Sequence, residues 1–325
     1  MKKLSFILPL LFIASFFIPA CKPGEIELRL KPQNNSNYRM VFKTDGNVSM
    51  NMAGKDLGTD VHTSIASILN VETLPGNRYG FALTYDEYDM AQSVDGKQLN
   101  VIDLPADSSS NKDQILKFIK GVTFKTVMSA VGKSEQILGA DSIINKMENA
   151  MAGMPEETRK MLLTALKPVL TSDMAKGMLE QCFYVFPDEK VNIGDSWKNE
   201  IVMQNMFSMI IKSTYTLLDI QNGIARLKVH SEIRPGNTDV MMPGLAMAAP
   251  KGTDHPQDMG GLDLMGMKMK AAFSGTQDGM VWIDMNEGMV QKNTLDQDLT
   301  GKISISILDL PMTMKMKTSY EVSPK

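Results

Sequence analysis

The chain of 325 residues is 43% hydrophobic and 22% charged, with a formal net charge of −3. That length supports one large core or two smaller ones, and a charge so small and mixed argues against nucleic acid as a partner. Aromatic residues are sparse at 6% while Met reaches 28 residues, so thioether side chains carry much of the apolar packing, which suits an adaptable interior or cavity.

The first stretch, MKKLSFILPLLFIASFFIPACKPGE, places Lys2 and Lys3 before an apolar run from Leu4 to Phe17, then Ile18, Pro19, Ala20 and Cys21. A short positive region, an apolar segment too short to span comfortably and a small residue at the end are the marks of an export signal. The stretch resembles a bacterial lipoprotein signal peptide, whose lipobox closes on a cysteine. The resemblance implies cleavage after Ala20, a diacylglycerol on the sulfur of Cys21 and acylation of the new N-terminus. Buried acyl chains at roughly 0.8 kcal/mol per CH₂ then hold the mature protein on a membrane without a transmembrane helix. Residues 1–20 are read as the cleaved signal peptide and 21–25 as the lipidated tether.

From Ile26 the period becomes two: Ile26, Leu28 and Leu30 alternate with Glu27, Arg29 and Lys31. YRMVFKTDGNVSMNMAGK, DVHTSIASILNVETL, RYGFALTYDEYDM and QLNVID continue the alternation, punctuated by Pro75-Gly76-Asn77 and Asp95-Gly96-Lys97. FIKGVTFKTVMSAVGKSEQILG adds a hairpin turning near Gly132. This is the signature of antiparallel strands, and 26–140 is read as an N-terminal β-half. Across 141–182 the spacing changes to three and four. Asp141 or Ser142 caps a first helix, Pro155 opens a second with Glu156 and Glu157 in its first turn, and Ser172 or Asp173 starts a third. About three short helices are therefore expected as a central insert.

Strands return over 183–325, a C-terminal β-half containing VNIGDSWKNEIVMQ, YTLLDIQNGIARLKVHSEI and KAAFSGTQDGMVWIDMNEG, with a flexible Gly- and Met-rich loop near 235–262. The two halves present similar segments in the same order, as a duplication would produce, although antiparallel meanders in general look alike. The expected class is α+β, mainly antiparallel β, as a large curved sheet or two related β-halves with helices beside them.

The chemistry-bearing candidates are few. Met50 with Met52, then Met265, Met267 and Met269, then Met312, Met314 and Met316 offer soft ligands for Cu(I). Residues two apart on a strand also share one face, with Lys268, Lys270, Lys315 and Lys317 on the other, so ordinary amphipathic strands explain the pattern. Asp86, Glu87 and Asp89 lack the glycine and terminal glutamate of a calcium loop and read as solvated charges. Ser109 and Lys112 match Ser-x-x-Lys in a polar loop without a companion Lys-Thr-Gly, and chance accounts for them. If Cys21 is lipidated, Cys182 has no disulfide partner. It lies in the apolar stretch LEQCFYVF as a buried thiol, and His62, His230 and His255 stand in no recognisable motif. No catalytic residue, metal or cofactor is assigned, and the chain is read as a non-enzyme whose ligand-binding residues are unknown.

VNIGDSWK places a Gly194-Asp195 turn before Trp197, which is expected to anchor the core. With the lipobox, the opening KPQNNSNYRM and the closing MTMKMKTSYEV, it resembles an uncharacterised family of Bacteroidota lipoproteins, a domain of unknown function numbered 6263. The resemblance implies an exported, β-rich lipoprotein in the cell envelope, on the periplasmic face or the surface of the outer membrane, and carries no catalytic residues. The functional expectation is a lipid-anchored protein that binds an apolar ligand or lipid on a Met-rich concave face. The alternatives are an adhesion or complex-forming subunit with an envelope protein partner, and Cu(I) binding through the Met clusters.

Overall fold

The computed structural model describes residues 25–52, 54–94, 97–99, 120–138, 151–156, 172–204, 208–236, 269–305 and 308–325, with single positions between 145 and 163. The signal peptide, Cys21, the Ser109–Lys112 match and the Gly/Met-rich loop (237–262 of it) lie outside the described residues. In chain order come β1 (Ser36–Met52), β2 (Lys55–Leu74), β3 (Arg78–Val94), β4 (Lys97–Leu99), β5 (Thr123–Ser129) and β6 (Ser134–Leu138). A helix, α1 (Ser172–Phe183), precedes β7 (Ser196–Gln204), β8 (Ser208–Gln221) and β9 (Ile224–Pro235). The chain closes with β10 (Met269–Asp284), β11 (Met289–Ile305) and β12 (Leu308–Pro324).

All twelve strands form one antiparallel sheet in the order β6-β5-β3-β2-β1-β12-β11-β10-β9-β8-β7, with β4 beside β3. Two meanders meet where the first and last strands pair, from Tyr38 opposite Pro324 to Met50 opposite Met312. Tight turns set the register. Asn222 and Gly223 both have positive φ, 52° and 78°, between the paired Gln221 and Ile224, which is the backbone a two-residue type I′ hairpin requires.

The expectation of an α+β class with about three short helices is overturned. Among the described residues the chain is nearly all β, and α1 is the one complete helix. The positions expected to begin the first helix lie outside the described residues. The helix-period stretch is short beside strands of up to 20 residues. The helix also forms no layer of its own: it touches both outer strands, β6 and β7, and also β11 near the middle of the sheet. A sheet whose two edges and centre all reach one helix has curled around it.

The curl has a local cause. Gly275 and Gly279 on β10 and Gly301 on β11 share the face that carries Leu299, Leu295 and Phe273. A Cβ on any of them would come within 2.0, 1.9 and 2.1 Å of the carbonyl oxygens of Asp298, Thr294 and Ala272. Only strands without a side chain at those points coil this tightly.

The main core fills one end of the curl. Tyr38, Leu69, Phe81, Tyr215, Leu227 and Tyr320 from the sheet pack on Leu179, Cys182 and Phe183 of α1. Phe81 meets Phe183 edge to face with centroids 5.3 Å apart. Each side chain fully withdrawn from water contributes about 1.5–3 kcal/mol. This end also carries the β2–β3, β8–β9 and β10–β11 turns. It is closed by residues 26–31: Ile26 pairs with Val191, Leu30 N–H donates to Ala130, and Lys31 N–H donates to Glu287. Arg29 donates to the carbonyls of Pro187 and Asp188, and Leu28 and Leu30 are buried.

Candidate functional site

Along the central strands the inward face changes character from one end to the other. At the clasped end Tyr38, Met40, Leu69, Val71 and Tyr320 are all buried. Twelve residues along β1, at the end carrying the β1–β2 and β11–β12 turns, Val48, Met50, Leu57, Val61, Met312 and Met316 share the same face but are only half-buried. These side chains form an apolar mouth. Inward from it Met314, 7% exposed, packs with Ile201, Met203, Ile211, Ile233 and Leu299 in a second apolar cluster.

The Met312, Met314, Met316 run therefore lies on the inner face, as a period-two strand dictates, with Lys315 and Lys317 outside. Met50 is directly opposite Met312, and Met316 lies over Gly46, whose missing side chain makes room for it. Five thioethers gather in this cluster (Met203, Met209, Met312, Met314 and Met316) among aliphatic neighbours. Met265 and Met267 lie outside the described residues. Among the described residues no group of three or more His, Cys, Asp or Glu is placed to hold a metal.

A buried polar network fixes α1 inside the sheet. Tyr320 Oη donates to Gln181 Oε1 at 2.5 Å, and Asn293 Nδ2 donates to the Gln181 carbonyl at 3.0 Å. Ser134 N–H donates to Glu180 Oε1 at 3.0 Å, tying the helix to the edge strand β6. On the other edge Asn199 Nδ2 donates to Tyr184 O and Trp197 Nε1 to Val185 O, both at 2.9 Å. Trp197 also stacks on Tyr215, so the expected anchor is half-buried at the rim of the main core. Burial raises the Glu180 carboxyl above its ordinary value, against the pull of Lys176 and the Ser134 N–H. Burial likewise pushes Tyr215 up to about 12, and Tyr320 well above its ordinary value. Asn293 Oδ1 is the one buried side-chain oxygen without a hydrogen-bond partner among the described residues.

Cys182 is fully buried, and burial raises its thiol strongly, so it is a packing residue and not an ionised nucleophile. His62 and His230 lie on the outer face, paired with Asp45 at 2.5 Å and Asp278 at 2.8 Å. His255 lies outside the described residues. Asp86 and Glu87 are ion-paired to Arg39, and Asp86 also to Lys120. The network around Gln181, Glu180 and Asn293 was not singled out from sequence. Its only trace there is a Glu-Gln pair inside the otherwise apolar LEQCFYVF. Two cavities of about 530 and 420 Å³ lie on the outer face, lined by Asp45, Asp60, Asp278, Asp296 and Asp298 with Lys315 and Lys317.

A single all-antiparallel sheet curled over one helix, clasped at one end and apolar at the other, defines the class: an all-β half-barrel. Within that class, the family model described as a family of unknown function (DUF6263) matches residues 76–290, and the chain belongs to that family. No curated protein matches it. Among solved structures, one of lipovitellin and its lipid–protein interactions is similar over 90% of this chain, with a TM-score of 0.43 and 8% identity. The match covers 25% of the lipovitellin chain, so this protein spans a quarter of that length. An outer membrane channel of Pseudomonas putida F1 matches 93% of this chain and 99% of its own, with a TM-score of 0.25 and 9% identity. OccAB4 of Acinetobacter baumannii matches 90% and 99%, with a TM-score of 0.19 and 6% identity. Likeness at such TM-scores assigns no function.

Proposed function

We propose that this protein is a lipid-anchored lipoprotein of the cell envelope, held on the outer membrane through Cys21, that binds the acyl part of a lipid or a similar apolar ligand at the Met-rich mouth. It acts by binding, and no residue is assigned a catalytic role. One observation carries the reading. Beyond a polar belt of Thr44, Thr318, Gln277, Gln297, Ser213 and Ser231, the inward face is apolar again at Val48, Met50, Leu57, Val61, Met312 and Met316, although these side chains are only half-buried. A surface that only closes off a core would turn polar where water reaches it. Unbranched thioethers also adapt to chains of varied shape.

The test uses the purified mature protein. Lipid extraction and mass spectrometry should find a bound amphiphile, and a fluorescent fatty acid should bind saturably. Met50→Asp with Met312→Asp should abolish probe binding while the unfolding transition is retained, because both sites already reach water. An extract without amphiphile, together with no saturable probe binding, sinks the reading.

A further inference from the structure

The clasp that closes one end of the half-barrel is made by residues that follow Cys21 almost directly. Ile26 is five residues beyond Cys21 and is already fixed by paired main-chain hydrogen bonds to Val191, of 2.8 and 3.0 Å. Leu30 and Arg29 complete the lock on the β5–β6 turn and on the segment after α1. Five extended residues reach about 17 Å at most. The mouth lies much farther away: Tyr38 to Met50 is twelve residues of one strand, about 40 Å at 3.3 Å per residue. No extension of the tether brings the mouth to the anchoring leaflet while the clasp is formed, unless the molecule lies down on its flank.

The flank opposes that posture. Across the middle of the sheet the outer face presents charges of both signs, Asp45, Asp60, Asp278, Asp296 and Asp298 with Lys315 and Lys317, all exposed. Such charges stay hydrated and offer a leaflet no apolar area to bury, so this face gains little by settling on the membrane. We infer that the clasped end is the surface that meets the anchoring membrane, and that the molecule stands upright with its Met-lined mouth facing away from that membrane. This rests on the acylation of Cys21 proposed above. It follows that an apolar ligand at the mouth is exchanged with something other than the leaflet that holds the protein.

The experiment uses the full-length lipidated protein in vesicles of phosphatidylcholine and phosphatidylglycerol carrying an acceptor dye on a headgroup-labelled lipid. A donor dye is attached at Glu189→Cys, beside the clasp, or at Asp56→Cys, beside the mouth. Both positions are exposed, and the buried Cys182 does not react. Energy transfer should be several-fold greater from position 189 than from position 56. Equal transfer, or greater transfer from position 56, overturns the upright orientation while leaving the anchor and the ligand site standing. Protein that fails to float with the vesicles overturns the anchor, and the orientation with it.

Discussion

Replacing Tyr320 by Phe isolates the bond that seats α1 inside the sheet. The phenol ring keeps its burial and its tilted contact with Phe42, centroids 5.0 Å apart, so no cavity forms. Only the hydroxyl is lost, and with it the 2.5 Å donor to Gln181 Oε1. Both residues are buried, at 1% and 9% exposure, so water does not replace the missing donor. Leaving a buried acceptor unsatisfied costs about 1–3 kcal/mol, which in a chain of this length lowers the Tm by on the order of 2–6 °C. The Gln181→Leu partner removes the acceptor as well. The Tyr320→Phe, Gln181→Leu pair should therefore destabilise by less than the sum of the two single changes. Urea and thermal unfolding followed by far-UV circular dichroism measure all four corners of the cycle. A Tyr320→Phe variant indistinguishable from wild type, or a strictly additive cycle, would refute the view that this bond holds the helix in place.

Two further outcomes follow from the same geometry. Gly279→Ala puts a Cβ 1.9 Å from Thr294 O, a main-chain atom that no rotamer change can move. It should lower stability by about 1–3 kcal/mol or more, read as a lower urea midpoint. The Glu180 carboxyl is raised in the folded state, so the native protein holds that proton where the unfolded chain has lost it. Its contribution is therefore favourable below the ordinary carboxylate value and is lost as pH rises through the folded value. Glu180→Gln keeps the acceptor for Ser134 N–H, and it should raise the unfolding midpoint at neutral pH with no gain in acid. An equal gain at both pH values would show that the carboxyl does not titrate in this way.

Much of the strand pattern was written in the residues. Alternation marked the long strands, Pro75-Gly76-Asn77 marked a tight turn, and Gly132 marked the β5–β6 turn, because these signals depend only on residues a few positions apart. The same local reading gave the helical stretch 141–182 too much weight. Period alone does not reveal that α1, the complete helix among the described residues, is wrapped by the sheet instead of lying beside it. The Met312, Met314, Met316 face was likewise legible as one side of a strand, but not what that side would meet.

What the chain order could not convey is every contact that joins distant segments. Pairing of β1 with β12 turns two meanders into one sheet, and it brings Met50 to Met312 across most of the sequence. Close strand approach at Gly275, Gly279 and Gly301 curls that sheet until both edges reach α1. Whether a thioether is sealed in hydrocarbon, as Met314 is, or half-open to water, as Met312 and Met316 are, depends on what lies above it after the curl. Local periodicity determines which way a side chain points from its strand. Only the closed tertiary structure decides whether it points into a core or into a mouth, because burial belongs to the assembled surface and not to any residue's neighbours in sequence.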